Sequence, residues 1–426
     1  MQLYRHRGLT LFRRNRAYIR SGYSLHPHPT FSSQRVPRQD CEKIAAPSHH
    51  HDKIRPLSSL TQHPPQINQQ TAKEYPYSMG SGTRPKVCLV GSGGVGTIAS
   101  VVLEKAGAHV TAVLRSKYRV IKEKGWDIES VDHGEIKGWR PNRVVNVVSD
   151  AANEGGEPVH FDFVVVCMKQ LPDLYSITDI ISPVVSPQVT AIVLIQNGID
   201  IEQPIIESFP TNTVMSSVSV IGSKTVGENT VIQIGRDIQT IGPHFHACGG
   251  RSNEDQLRKT KEFVDLYNLG LKDAPTEALV TLTEDMPAAR WHKVLWNGTF
   301  NTVCAVMRMN VGEICASAGR ERLLIPMMYE IWNVAKASGI HLPESDIRSQ
   351  ANRVATNSIF RPSMLIDVDY GRPMELEVIL GSVLRRAENT STSTPIINTI
   401  YELLRMRKWE METAAVQPKA SEGTTS

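Results

Sequence analysis

Between positions 290 and 301 the chain reads Arg290-Trp-His-Lys293-Val-Leu-Trp-Asn297-Gly-Thr-Phe-Asn301, a lysine and two asparagines at intervals of four. On an α-helix that interval places all three side chains on one face. Val294, Leu295 and Trp296 are apolar neighbours, and a polar row in such surroundings is costly to bury unless something satisfies it. A row of this kind serves as a solvated face, as a hydrogen-bonding seam between domains, or as one wall of a cleft for a polar ligand. A second segment, Gly91-Ser92-Gly93-Gly94-Val95-Gly96, carries G-x-G-x-x-G directly after the apolar run Val87-Cys-Leu-Val90. Between a strand and a helix, the first glycine permits a tight turn and the second lets a pyrophosphate approach the backbone. The third lets helix and strand pack closely. The free amides at the helix start then face the anion, with the helix dipole behind them. A glycine turn without a ligand is the plainer alternative, but its placement favours a dinucleotide site. Beside such a site, the Lys293 row reads as part of a substrate cleft.

The elements that must position these groups follow from hydrophobic periodicity. A strand from Lys86, a helix over Thr97–Ala106 stopped by Gly107, and a strand over Val110–Leu114 give the β-α-β order of a parallel sheet. Strand-like runs recur at Phe163–Cys167, Ala191–Ile195 and Thr213–Val220, while Val231–Ile234 and Asp237–Ile241 predict a hairpin added to the parallel core. From about Thr276 amphipathic helical segments take over: Pro287–Met307, Arg320–Ala337, Glu344–Thr356, Glu375–Arg386 and Pro395–Met406. The expected layout is an α/β Rossmann-type nucleotide-binding domain over 84–280, then an all-helical domain over 281–411, with the cleft between them. Residues 412–426 read as a frayed tail.

The glycine turn also bears on the choice of nucleotide. About 20 residues beyond it, an NAD site shows an acid for the ribose hydroxyls. Here the second strand ends Val113-Leu-Arg115-Ser-Lys117 without one. Cations at that place suit a 2′-phosphate through charge-assisted bonds, so NADPH is expected, with Arg115 and Lys117 as ligands. The alternative is that both are ordinary surface cations at a strand end.

Composition excludes other classes. Of 426 residues, 40% are hydrophobic and 21% charged, with a net charge of +4, and no apolar run reaches the roughly 20 residues of a membrane span. The charge is uneven: Arg5, Arg7, Arg13, Arg14, Arg16, Arg20, Arg35 and Arg38 all precede Asp40, the first acid. An Arg-rich, acid-free, amphipathic start suits a mitochondrial presequence, and residues 1–83 read as that segment plus a Pro-rich linker; a disordered basic tail is the alternative, with a cytoplasmic protein. No basic patch outside this stretch suggests nucleic acid. Six scattered cysteines without C-x-x-C indicate neither disulfides nor zinc, and His49-His50-His51-Asp52 lies in low-complexity chain, so no metal is expected.

Taken together, several separated motifs resemble the ketopantoate reductase (2-dehydropantoate 2-reductase) family from about Lys86 to Arg407. They are the glycine turn, Lys169 in Val-Cys-Met-Lys, Gln196-Asn197-Gly198, the Lys293-Asn297-Asn301 helix, Ser363-Met-Leu-Ile-Asp367, and Arg372-Pro-Met-Glu375. The resemblance implies a helical C-terminal domain like that of 6-phosphogluconate dehydrogenase, and NADPH-dependent reduction of 2-dehydropantoate to (R)-pantoate. It makes Lys293 the general acid and Glu375 the group that orients substrate beside the cofactor. Asn297, Asn301 and Ser363 would hold the substrate's hydroxyl and carboxylate, and Lys169 and Asn197 would line the cofactor–substrate junction. A hydride reaching a ketone carbon creates an alkoxide, which needs a cation or proton donor close by. Glu375 by itself would also suit a helix N-terminus. Asn310 matches a further family asparagine only approximately, and Trp296 is bulky beside Asn297. Asp127–Glu157 is more elaborate than a minimal enzyme needs. A paralogue acting on another 2-oxo acid, or a non-catalytic NADPH sensor, shares most of these features; pairing of the helical domain's outer face into a homodimer is a further expectation.

Overall fold

The computed structural model describes residues 84–275 and 277–416. The expected presequence, the histidine run at 49–51 and the last ten positions lie outside the described residues. Eight strands form the main sheet: β1 (Lys86–Val90), β2 (His109–Val113), β3 (Arg143–Val145), β4 (Phe163–Val166), β5 (Ala191–Leu194), β6 (Val214–Val220), β7 (Ile238–Pro243) and β8 (Leu279–Leu282). Their spatial order is β3-β2-β1-β4-β5-β6-β7-β8. The first six are parallel; β7 runs antiparallel to β6, and β8 parallel to β7. The six-strand order is that of the Rossmann fold, whose winding reverses between β1 and β4 and leaves a crevice at their carboxyl ends.

Successive side chains of a strand point to opposite faces, and β1 divides accordingly. Val87 and Leu89 join Ile98, Val102 and Phe263 under helices α1 (Gly94–Lys105) and Asn253–Gly270. Cys88 and Val90 face the other way, into a core that continues through Ile192 and Leu194 to Trp291, Leu295 and Leu380 of the helical region. Burial on both faces is why these strands read as unbroken apolar runs. The same burial pushes the Cys88 thiol up to about 12, so it acts as a small hydrophobe rather than a nucleophile.

The predicted 231–241 hairpin does not form. Thr230–Gln233 pairs with Ser223–Val226 and Trp126–Ser130, and the latter pairs with Gly134–Trp139, making a separate four-stranded sheet. The elaborate 127–157 segment supplies two of its strands. Gly235-Arg236 resembles a hairpin turn, but here the chain passes from one sheet to the other. Buried Asp132 holds that crossing: its carboxylate accepts from Gln233 Nε2 at 2.5 Å, from Asp237 N at 2.9 Å and from Arg236 Nη1 at 3.0 Å.

Past β8, Asp285 caps helix α2 (Met286–Trp296), its Oδ1 accepting from Ala288 N at 3.0 Å. The spiral then widens into a π-turn over Asn297–Asn301 before closing again over Thr302–Met307. The helix predicted to reach Thr356 stops at Asn352, and the final helix continues past Met406 to Val416. Residues 412–416, expected as tail, are therefore helical. Among the described residues no helix is long and apolar enough to cross a membrane, and no group of three His, Cys, Asp or Glu side chains is placed to hold a metal.

Candidate active site

At the end of β1 the chain turns through Gly91 at φ +104°. A Cβ there would lie 2.4 Å from Met168 N, and one on Gly96 would lie 2.1 Å from Gly91 O; both positions exclude any side chain. Gly93 differs: a Cβ there would meet no atom within 4 Å, so this face of the turn is open to a ligand. Helix α1 starts beyond it without a side-chain cap or an acid in its first turn, which leaves its amides for an anion. Ser92 Oγ and Thr97 Oγ1 are buried with no partner among the described residues. This cradle fits a pyrophosphate. Gly94 serves the packing instead, since a Cβ would come within 2.9 Å of Ser223 and Lys224, and half-buried Val95 packs against the core under α1. Arg115 is exposed just past β2 and makes no ion pair among the described residues. Lys117 is engaged: its Nζ donates to Gly227 O at 2.7 Å and Glu228 O at 2.6 Å, clasping the 226–230 turn.

The predicted polar row meets β6, the loop that follows β5, and Ser363 of the helical region. Lys293 Nζ donates to Ser219 O at 2.7 Å. Burial, then the Arg290 guanidinium one turn away, brings the ammonium down to about 8, against the opposing pull of Glu375. Asn297 and Asn301 are 6% and 4% exposed, and the π-turn carries both; such turns recur at functional sites. Asn297 Nδ2 donates to Asn197 Oδ1 at 3.4 Å, and Asn197 Nδ2 donates to Glu375 Oε2 at 3.0 Å. The Gln170 backbone N–H donates to Glu375 Oε1 at 3.1 Å, so both carboxylate oxygens are held by the Rossmann loops rather than by Glu375's own helix. Asn301 Nδ2 donates to Ser363 Oγ at 3.4 Å.

Lys169 crosses to the helical region. It pairs with Asp367 at 2.7 Å and donates to Pro373 O at 2.9 Å, fixing the segment that ends at Glu375. Burial raises the Asp367 carboxyl, a push that Lys169 and then Arg372 oppose. Two sequence doubts resolve. Trp296 stacks on Phe300 with ring centroids 4.1 Å apart, and Arg353 lies over it, so packing absorbs its bulk. Asn310 is a helix cap: its Oδ1 accepts from Glu313 N at 2.9 Å, and Glu313 Oε2 accepts from Asn310 N at 2.7 Å.

Sequence reasoning missed Arg290, Gln170 and Ser219. Arg290 is 3% exposed and donates to Gly198 O at 2.9 Å and Gln196 O at 3.0 Å, fastening α2 to the loop after β5. Its signal was position, one turn before Lys293 on the same face. Gln170 acts through its backbone N–H and Ser219 through its carbonyl, for which residue type carries no signal.

Comparisons with known proteins agree with this arrangement. The family model described as "Ketopantoate reductase PanE/ApbA" matches residues 87–245, and its C-terminal companion matches residues 285–408. An uncharacterized protein of Saccharomyces cerevisiae is 32% identical over 344 residues, covering 75% of this chain and 92% of the relative. The 2-dehydropantoate 2-reductase of a Nostoc species is 27% identical over 320 residues, 75% of this chain and 94% of its own. The crystal structure of 2-dehydropantoate 2-reductase from Methylococcus capsulatus superposes with a TM-score of 0.63 at 27% identity, covering 78% of this chain and 99% of that one. From motifs, fold and matches alike, the chain belongs to the ketopantoate reductase family, oxidoreductases that act on a CH–OH group with NADP.

Proposed function

We propose that the protein reduces 2-dehydropantoate to (R)-pantoate with NADPH, with Lys293 as general acid. The observation that carries this reading is the chain Glu375–Asn197–Asn297, which ends in the same small cavity as Lys293. The dinucleotide, when bound, is the hydride donor; Ser92, Gly93 and the first amides of α1 would hold its pyrophosphate, and Arg115 its 2′-phosphate. Lys293 is largely protonated at neutral pH, given a value of about 8, and delivers the proton to the developing alkoxide as the carbon receives the hydride. The Ser219 carbonyl aims its ammonium. Glu375, fixed by Gln170 and Asn197, orients the substrate, while Asn297, Asn301 and Ser363 offer amide and hydroxyl groups to a compact hydroxy-acid without adding charge.

The test is NADPH oxidation by the purified chain with 2-dehydropantoate against a panel of other 2-oxo acids. Strong preference for 2-dehydropantoate supports the assignment. Turnover confined to another acid keeps the mechanism and changes the substrate, and NADPH binding without turnover of any acid replaces the enzyme with a sensor. The arginine-rich first 83 residues support mitochondrial import on composition; a reporter fused to them that stays in the cytosol refutes it.

A further inference from the structure

Lys293 borders a cavity of about 10 Å³ that it shares with Gln196, Ser217, Arg290, Asn197 and Asn297. That is about the room one water needs. Two polar atoms of its lining residues, Arg290 Nη1 and Gln196 Oε1, are buried with no partner among the described residues. The remaining atoms of both groups are engaged: Arg290 Nε and Nη2 donate to backbone carbonyls, and Gln196 Nε2 donates to Met168 O at 2.6 Å. One cationic donor and one amide acceptor are left over.

The third group is Ser217, whose polarity is dictated from a distance. Asp237 is fully buried; its Oδ2 accepts from the Tyr267 hydroxyl at 2.7 Å and its Oδ1 from Gln239 Nε2 at 2.9 Å. An ionised carboxylate only accepts, so Gln239 must turn its amide N–H toward Asp237 and its Oε1 toward Ser217. Ser217 Oγ accordingly donates to Gln239 Oε1 at 2.6 Å. With its proton committed there, the hydroxyl of Ser217 can meet the cavity only as an acceptor.

We propose that a single ordered water sits behind Lys293, accepting from Arg290 Nη1 and Lys293 Nζ and donating to Gln196 Oε1 and Ser217 Oγ. All four bonding positions of the water are then used, and each leftover group gains a partner. The lysine gains direction. One of its three N–H groups goes to the Ser219 carbonyl and a second to the water, so a single N–H remains for the ketone oxygen. Ser217, Gln239 and Asp237 are positioning residues that act through the water. The charged groups that bear on the ammonium are Arg290 and Glu375. This inference rests on Lys293 being the acid, but its tests stand apart from that reading.

The direct test is a crystal structure of the protein with NADP⁺ and the hydroxy-acid product, at a resolution that shows waters. Density for one water within hydrogen-bonding distance of Lys293 Nζ, Ser217 Oγ and Arg290 Nη1 is expected. A cavity without density, or one filled by a ligand atom, overturns the proposal. In solution, Ser217→Thr adds a methyl group of about a water's size while keeping the hydroxyl. By displacing the water it takes an acceptor from the ammonium, and the alkaline limb of turnover should move about one pH unit lower, with NADPH affinity unchanged. Asp237→Asn, remote from the cavity, lets Gln239 turn over and Ser217 donate inward, so the limb should move the same way by less. Limbs unmoved in both variants overturn the proposal, and should Ser217→Thr fail to fold, Asp237→Asn and the crystal density decide. Lys293→Ala retaining full turnover would instead remove the acid reading, an outcome separate from the water's density.

Discussion

If Lys293 delivers the proton, the rate of reduction must track the fraction of that lysine still protonated. Burial and Arg290 set its value at about 8. The sign follows from the chemistry: the ammonium is the active form for reduction, so the rate holds below this value and falls as pH rises through it. At pH 9 about one molecule in eleven keeps the proton, a rate roughly tenfold below that at pH 7, and at pH 10 the loss is about a hundredfold. Oxidation of the hydroxy-acid needs the neutral amine and should climb through the same range. Single-turnover measurement of hydride transfer is the suitable assay, because product release can mask the chemical step in kcat. Lys293→Arg supplies the control. A guanidinium keeps its charge throughout this range and cannot give up its proton, so the limb should vanish and the rate drop by about 10² to 10⁴. A wild-type rate that stays flat to pH 10, or a limb at the same pH in the arginine variant, would refute the reasoning.

Five further substitutions test the nucleotide site and the carboxylate. Gly93→Ala should leave stability within about 1 kcal/mol, since its Cβ meets no protein atom, yet raise the NADPH Kd at least tenfold in a fluorescence titration; Gly96→Ala, facing Gly91 O at 2.1 Å, should compromise folding itself. Arg115→Ala should weaken NADPH by about 10- to 100-fold, the worth of a charge-assisted bond, with NADH little changed. Lys117→Ala should alter that selectivity far less, because its amine serves the 227–228 carbonyls. Glu375→Gln turns an amide N–H toward either Gln170 N–H or Asn197 Nδ2, at a cost of about 1–3 kcal/mol, visible as a lower urea midpoint as well as reduced kcat/KM.

What could be read from the sequence was whatever local pattern encodes. The parallel strands announced themselves because both faces of β1, β4 and β5 are buried, and the glycine turn because backbone approach tolerates no side chain at Gly91 and Gly96. The row at 293, 297 and 301 was visible as polarity at helical spacing. Its π-turn was not, since Asn-Gly-Thr-Phe-Asn differs from an ordinary helical stretch only through the packing around it. The 231–241 error has a similar origin: two alternating runs around Gly235-Arg236 look like a hairpin until Asp132, a hundred residues upstream in sequence, is seen to hold them in separate sheets. Lys117 and Asn310 have the right types at the right places, but longer-range geometry gives one to a turn and the other to a helix cap. Arg290, Gln170 and Ser219 lie at the opposite limit, where function rests on backbone groups and on a guanidinium whose partners are known only after folding.

The apolar core that passes from the sheet through Ile192 and Leu194 to Trp291, Leu295 and Leu380 bears on how the molecule comes apart. The face of β1 that carries Cys88 and Val90 shares its core with Val148, Phe161 and Ile177 and, beyond them, with Trp291, Leu295 and Leu380 of the helical region. A fragment cut after β8 would expose the part of that core which Trp291, Leu295 and Leu380 now cover, together with the carbonyls of Gln196 and Gly198 that receive Arg290. Heat should therefore melt nucleotide-binding and helical regions in one calorimetric transition rather than two. The bonds that Arg290 and the Lys169–Asp367 pair make between the two regions belong to the same cooperative unit and should be lost in that single transition.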